Sequence, residues 1–391
     1  MPRFEPFAGL RYREDIDLNQ VTAPPYDVID ESERAALEAQ TAYNVVRVDL
    51  PVDYGEAAHL LDAWEDEGVL VQDEGPSYYV YRMGYRDEQG RARQTTGVIG
   101  ALELQVPGEG DVLPHEHTTP KAKSDRLALL QATRTNLSPI WGLSLAEGLS
   151  ALAEVPGPPV GRATDPEGVH HRLWRVTSPA VLEGVEELVS AAPVVIADGH
   201  HRYETSLAYL HEPGAPAGAE LTMALVVELT ESQLGVRPIH RLLRGLAPGL
   251  DVVEALSPFF EAFETEADPA IATGMVDAGA LGLVLPGSRA WLLRPRPEAF
   301  PADLPDLDSS RLDAARPALG DPEVEFQHGV DIALGRVASG AADAAVLLRP
   351  ATVGQIAATA AARDRMPPKT TFFYPKPRTG FVFRRLGPGA A

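Results

Sequence analysis

Pro193-Val194-Val195-Ile196-Ala197-Asp198-Gly199-His200-His201-Arg202-Tyr203 is an apolar run that breaks at a glycine and releases an acid, two histidines and an arginine together. The segment 194–197 reads as a buried strand. Residues 203–210 (Tyr-Glu-Thr-Ser-Leu-Ala-Tyr-Leu) have helical spacing, so Gly199 stands at a strand-to-helix turn. His200, His201 and Arg202 then fall at a helix N-terminus. Backbone N–H groups and the positive end of the dipole favour anions there, and Arg202 adds a planar fork that matches phosphate oxygens. Asp198, at the carboxyl end of the strand, is placed to hold a metal or accept a proton. The plainer alternative is that Asp198 caps the turn and the histidines begin a solvated helix. The coincidence of four such groups favours a site.

Composition narrows what that site can be. The chain has 391 residues, enough for two or three domains, and its 45% hydrophobic content is that of a globular protein with a large core. Its 56 acidic residues against 34 basic ones give a formal charge of −22, which argues against nucleic acid and anionic membrane as partners. Any phosphate site is then a local exception, and the expected partner is a small-molecule substrate. With no cysteine, there is no disulfide, thiolate ligand or cysteine nucleophile. A metal must use His, Asp and Glu, a set that suits a hard cation such as Mg2+. The first residues lack an apolar signal core, and no run approaches the roughly 18 apolar residues of a membrane helix, so a cytoplasmic protein is expected.

Outward from the turn, the segment 21–28 (Val-Thr-Ala-Pro-Pro-Tyr-Asp-Val) carries paired prolines that force an extended backbone just before Tyr26 and Asp27, a stiff loop suited to aiming them at a site. Residues 44–50 read as a strand, and 55–68 as a helix with Ala57, Leu60, Leu61 and Trp64 on one face. Segments 77–86 and 94–104 read as a hairpin, 124–134 as a helix, 169–176 as a strand, 179–190 as a helix and 221–229 as a strand. From 251 to 364 helix and strand patterns alternate with few polar clusters. The expected organisation is a core domain over 1–250, an α/β subdomain over 251–364, and a return to the core over 365–391.

Polar clusters recur outside the turn. The loop from His115 through Glu116, His117, Lys121 and Lys123 suits a metal or a phosphate, against the alternative of an exposed polar loop. The helix after it brings Arg126, with Asn136 and Ser138 beyond. His240 ends an apolar run near Arg237 and Arg241, and the proline-stiffened tail carries Lys369 and Lys376. Basic residues are scarce in this chain, so the clusters at 121–134, 237–244 and 369–378 are expected to converge on one anion. No Walker loop and no Gly-x-Ser-x-Gly elbow occurs.

Taken together, Ala23-Pro24-Pro25-Tyr26-Asp27-Val28, the 115–126 loop with Asn136-Leu137-Ser138-Pro139, Ala197-Asp198-Gly199-His200-His201-Arg202-Tyr203-Glu204, and the tail from Met366 to Lys376 resemble the family catalogued as domain of unknown function number 1015, nearly end to end. The Asp198 to Arg202 block is also similar to one in free-serine kinases of the ParB and sulfiredoxin-like superfamily, where an Asp-Gly-His-x-Arg turn lies at a phosphate-donor site. This resemblance implies an α/β (α+β) fold with a ParB/sulfiredoxin-like core and an additional α/β subdomain. It implies phosphoryl transfer to a small hydroxyl acceptor such as serine, from a nucleotide or pyrophosphate donor, with Mg2+. Asp198, also the candidate metal ligand, would orient or deprotonate the hydroxyl. His200 is the second catalytic candidate, and Glu116 is the nearest match to the superfamily's upstream glutamate. His201, Arg202, His115, Lys121, Lys123, Arg126, Tyr26, Asn136, His240, Lys369 and Lys376 are candidates for substrate or phosphate, and Asp27 for a metal or an acceptor amine. Two other classes stay open: a metal-dependent phosphatase or hydrolase built on His115, His117, Asp198 and His200, and a non-enzymatic nucleotide- or metabolite-binding protein. DNA binding, by analogy with ParB, is disfavoured by the charge. The oligomeric state stays open.

Overall fold

Apolar runs bounded by turn residues form the strands, as a sheet covered on both faces requires. The computed structural model describes residues 1–87, 90–115 and 123–387, the side chains of 123 and 124 excepted. The protein is mixed α/β and divides into two units. One comprises residues 1–235 and 375–391, the other residues 236–374.

In the first unit, β1 (Phe4–Glu5), β2 (Tyr78–Arg86), β3 (Ala92–Glu103), β4 (Val112–Pro114), β5 (Ile140–Ser144), β6 (Gly161–Thr164), β7 (His170–Val176), β8 (Val194–Asp198) and β9 (Leu221–Glu228) make one sheet. Its order is β4-β8-β5-β9-β3-β2-β7-β6, with β1 on β3. β8 runs parallel to β4 and antiparallel to β5, while β5 and β9 are parallel. Val194 and Ile196 pack with Tyr78, Val98, Ile140 and Val226 and with Val185 and Val189 of a helix at Pro179–Ser190. Val195, pointing the other way by strand alternation, is equally buried, so β8 is covered on both sides. Burying each such side chain favours the fold by about 1.5–3 kcal/mol. That anchorage fixes where Asp198 emerges.

The second unit holds a wholly antiparallel sheet. Its strands are β10 (His240–Arg244), β11 (Phe260–Glu266), β12 (Leu281–Leu285), β13 (Arg289–Pro295), β14 (Glu323–Gln327) and β15 (Ala344–Leu347), in the order β11-β13-β12-β15-β10-β14. Leu243, Leu281, Leu283 and Val346 face one helical layer and Leu242, Val284, Ala345 and Leu347 the other. Among the described residues no helix is long and apolar enough to cross a membrane.

Three expectations need correction. The second unit begins at residue 236, not 251, because β10 is an interior strand of its sheet, and it ends at 374 rather than 364. The valine-rich segment 44–50 is not a strand. Asn44 Oδ1 accepts the Val46 N–H at 3.0 Å and starts a short helix, α1 (Val46–Asp49), which Pro51 follows. That one turn carries Asp49 into the interior. The apolar segment 381–383, strand-like in sequence, contributes a single bridge, Phe383 to Leu10.

Candidate functional site

The helix α2 (Lys123–Thr133) and the helix α3 (His200–Leu210) join α1 and β8 in building the site. Gly199 adopts φ +84°, and a Cβ there would lie 3.0 Å from the Arg202 guanidinium, so both backbone and space require glycine. The turn lets Arg202, four residues beyond Asp198, fold back over the strand end. Arg202 Nη2 donates to Asp198 Oδ2 at 3.0 Å, while its Nη1 donates to Ser138 Oγ at 3.1 Å and to the Pro139 carbonyl. Lys376, in the returning tail, donates to the other carboxylate oxygen, Asp198 Oδ1. Tyr203 pins the helix, its hydroxyl donating to Gln105 O at 2.8 Å and accepting from Gln105 N at 2.7 Å.

Electrostatics follow from this geometry. Burial alone would raise the Asp198 pKa, but Lys376 and Arg202 outweigh it and hold the carboxyl at about 2. Asp198 is therefore ionised at all physiological pH values and is a poor proton acceptor. His115 follows β4 and is buried, which lowers its pKa to about 4 against the opposing pull of the Ile196 carbonyl and Asp198. Its Nδ1 lies 2.6 Å from Ile196 O, so Nδ1 carries the proton and donates, and Nε2 carries the lone pair. The His115 and His200 rings are 5.1 Å apart.

Arg202 also walls a cavity of about 60 Å3 lined by Tyr26, Asp49, Arg126, Ser138 and Thr205 among others. Arg126 donates from Nη1 to the Asp49 carbonyl at 2.6 Å, binds Asp125 through Nε at 2.8 Å, and lies 4.3 Å from the centre of the Tyr26 ring. Burial raises the pKa of Asp49, with Arg126 and Arg202 opposing, and burial likewise raises that of Tyr26.

The structure thus gathers Asp198, His200, Arg202, His115 and Lys376 at one turn, with His201 beside them on the first turn of α3, and Tyr26 and Arg126 at the adjoining cavity. Asp27 is exposed on the 3-10 turn at Tyr26–Val28. Asn136 lines the cavity, but its Oδ1 accepts from Met223 N at 3.1 Å and from Arg384 at 3.3 Å, a structural engagement. His240 and Lys369 belong to the second unit. His240 is buried in β10, and its Nδ1 accepts the Leu348 N–H at 3.2 Å, a packing role. Glu116, His117 and Lys121, and the side chain of Lys123, lie outside the described residues. Sequence reasoning missed Asp49; an acid inside the apolar run 45–50 was the available signal.

A resident Mg2+ at Asp198 does not fit the described residues. Both carboxylate oxygens are held by cations, and among the described residues no group of three or more His, Asp or Glu could hold a metal.

Solved structures similar to this chain include "Free serine kinase in complex with AMP", at 15% identity over 67% of this chain and 83% of that chain, TM-score 0.37. "SbnI with C-terminal truncation from Staphylococcus aureus" is 12% identical over 74% of this chain and 87% of that one, TM-score 0.39. A conserved hypothetical protein from Pyrococcus furiosus is 11% identical over 70% and 90%, TM-score 0.37. No curated protein matches the chain. The family model described as "Protein of unknown function (DUF1015)" matches residues 4–315, and the chain belongs to that family.

Proposed function

We propose that the protein is a cytoplasmic phosphotransferase with a ParB/sulfiredoxin-like core, moving the terminal phosphoryl group of a nucleotide or pyrophosphate to the hydroxyl of a small acceptor. The observation that carries this reading is the Asp198 clamp. One permanently ionised carboxylate anchors an ammonium and a guanidinium beside the N-terminal end of an 11-residue helix. Phosphoryl transfer depends mostly on positioning and on stabilising charge over the phosphoryl oxygens, and these are groups suited to it.

In the step, the bridging P–O bond of the donor breaks and its electron pair leaves with the departing phosphate. A new P–O bond forms to the acceptor oxygen, and the hydroxyl proton passes to water. Asp198 orients Lys376 and Arg202 rather than taking that proton, because a group with a pKa of about 2 is too weak a base. His200 and His201 bind the moving phosphoryl group, and neutral His115 orients His200. The likeness of the Asp198 to Arg202 turn to that of free-serine kinases makes serine the first acceptor to try.

Phosphorus NMR of the protein with magnesium, serine and, in separate tubes, ATP, ADP or pyrophosphate tests the reading, run beside Asp198→Asn. A new phosphomonoester resonance that the variant abolishes is the expected result. Donor loss to inorganic phosphate alone would replace the kinase reading with a hydrolase one, and unchanged donors would refute both.

A further inference from the structure

We infer that the cavity on the far side of Arg202 is the acceptor pocket, that it takes an α-amino acid of three or four carbons, and that Asp49 receives its ammonium group. This rests on the phosphotransferase reading for the acceptor's role, but the binding claim stands on the cavity itself. Arg202 is a shared wall: Nη2 holds Asp198 on the phosphoryl side, and the same side chain, with its Ser138 partner, lines the cavity. A ligand seated there lies one guanidinium away from the helix N-terminus.

Size restricts the occupant. A water needs about 10–15 Å3 of such space, so about 60 Å3 accommodates roughly five water-sized groups. That is the scale of a small amino acid rather than of a nucleotide. Charge restricts it further. Two guanidiniums, Arg126 and Arg202, and one carboxylate, Asp49, border the space. Arg126 is fixed by Asp49, Asp125 and the Tyr26 ring, and Arg202 by Asp198, Ser138 and Pro139, so both present fixed positive charge to a ligand carboxylate.

Asp49 is the complementary group. It is 3% exposed; its Oδ1 lies 3.4 Å from Arg126 Nη1, while its Oδ2 is buried with no hydrogen-bond partner among the described residues, an acceptor that a ligand ammonium would satisfy. Thr205 Oγ1, in the same wall and buried, has no hydrogen-bond partner among the described residues, which a bound polar ligand would supply. Apolar Leu129, Leu130 and Leu137 share the lining with polar Thr135, Ser206 and Thr222.

Calorimetric titration without any phosphate donor tests this, using L-serine and L-glycerate, which share configuration and differ only in ammonium against hydroxyl at C2. Wild type is expected to bind serine at least tenfold more tightly than glycerate. Asp49→Asn should remove that preference, and Thr205→Val should weaken both ligands while retaining it. Equal binding of the two ligands by wild type, no binding of serine, alanine or threonine, or an unchanged preference in Asp49→Asn overturns the inference. If Asp49→Asn does not fold, the serine-to-glycerate ratio in wild type and the Thr205→Val result decide alone. The function is judged separately by phosphorus NMR, so a failed pocket with intact transfer, or a binding pocket with no transfer, can be told apart.

Discussion

Asp198→Asn tests the clamp through stability as well as through activity. The fall of the Asp198 pKa from 3.8 to about 2 corresponds to about 2.4 kcal/mol favouring the charged form in the folded state. With side chains 17% and 19% exposed on Lys376 and Asp198, about 2 kcal/mol is the expected loss at pH 7, or roughly 30-fold in the unfolding constant. The sign follows from proton binding. The native carboxylate holds its proton less tightly than the unfolded one, so the stabilisation is fully present above about pH 4 and is lost as pH falls through about 2. Urea unfolding followed by tryptophan fluorescence reads this in a Trp291→Phe background, since Trp291 belongs to the second unit and Trp64, Trp141 and Trp174 to the first. Lys376→Met should also destabilise. The double variant should be less unstable than the sum of the singles by at least about 1 kcal/mol, because both singles remove the same Lys376–Asp198 ion pair. Wild-type stability in Asp198→Asn at pH 7, or strict additivity in the cycle, would refute the clamp.

Gly199→Ala should cost about 1–2 kcal/mol and displace Arg202, since φ +84° and a 3.0 Å approach both oppose a Cβ; unfolding midpoints and phosphorus NMR check this. Arg202→Lys keeps the charge but loses the fork joining Asp198 to Ser138 and Pro139, so transfer should fall at least tenfold with little change in fold by circular dichroism. His115, held neutral at about 4, stabilises the fold fully above about pH 6.5, and the contribution is lost as pH falls through about 4. His115→Gln should therefore flatten the pH dependence of the urea midpoint across that window. In the second unit, Asp308→Asn removes the paired bonds from Arg349 at 2.6 and 2.9 Å and should lower the unfolding midpoint reported by Trp291 by about 2–3 kcal/mol in equivalent stability.

The local chemistry of the turn was legible in the sequence because it is contiguous. A strand reading for 194–197, a glycine with positive φ and a helix start place Asp198, His200, His201 and Arg202 together within five residues, whatever surrounds them. Composition alone also set the acidic balance and the absence of thiol chemistry. The partners of that turn depended on pairings that no local pattern encodes. Lys376 reaches Asp198 across 178 residues from the returning tail, and His115 reaches Ile196 across 81 because the parallel pairing of β4 with β8 fixes their ends side by side. The reading of 44–50 as a strand failed for the same reason: its valines suit either conformation, and the Asn44 side chain with the surrounding core selects the helical turn that buries Asp49. His240 looked similar to the site histidines in sequence, yet the register of β10 commits it to the second unit's core. Backbone propensity acts over a few residues and was readable there, whereas burial and charge pairing are set by long-range contacts, so only the tertiary structure decided which of the scattered basic residues meet Asp198.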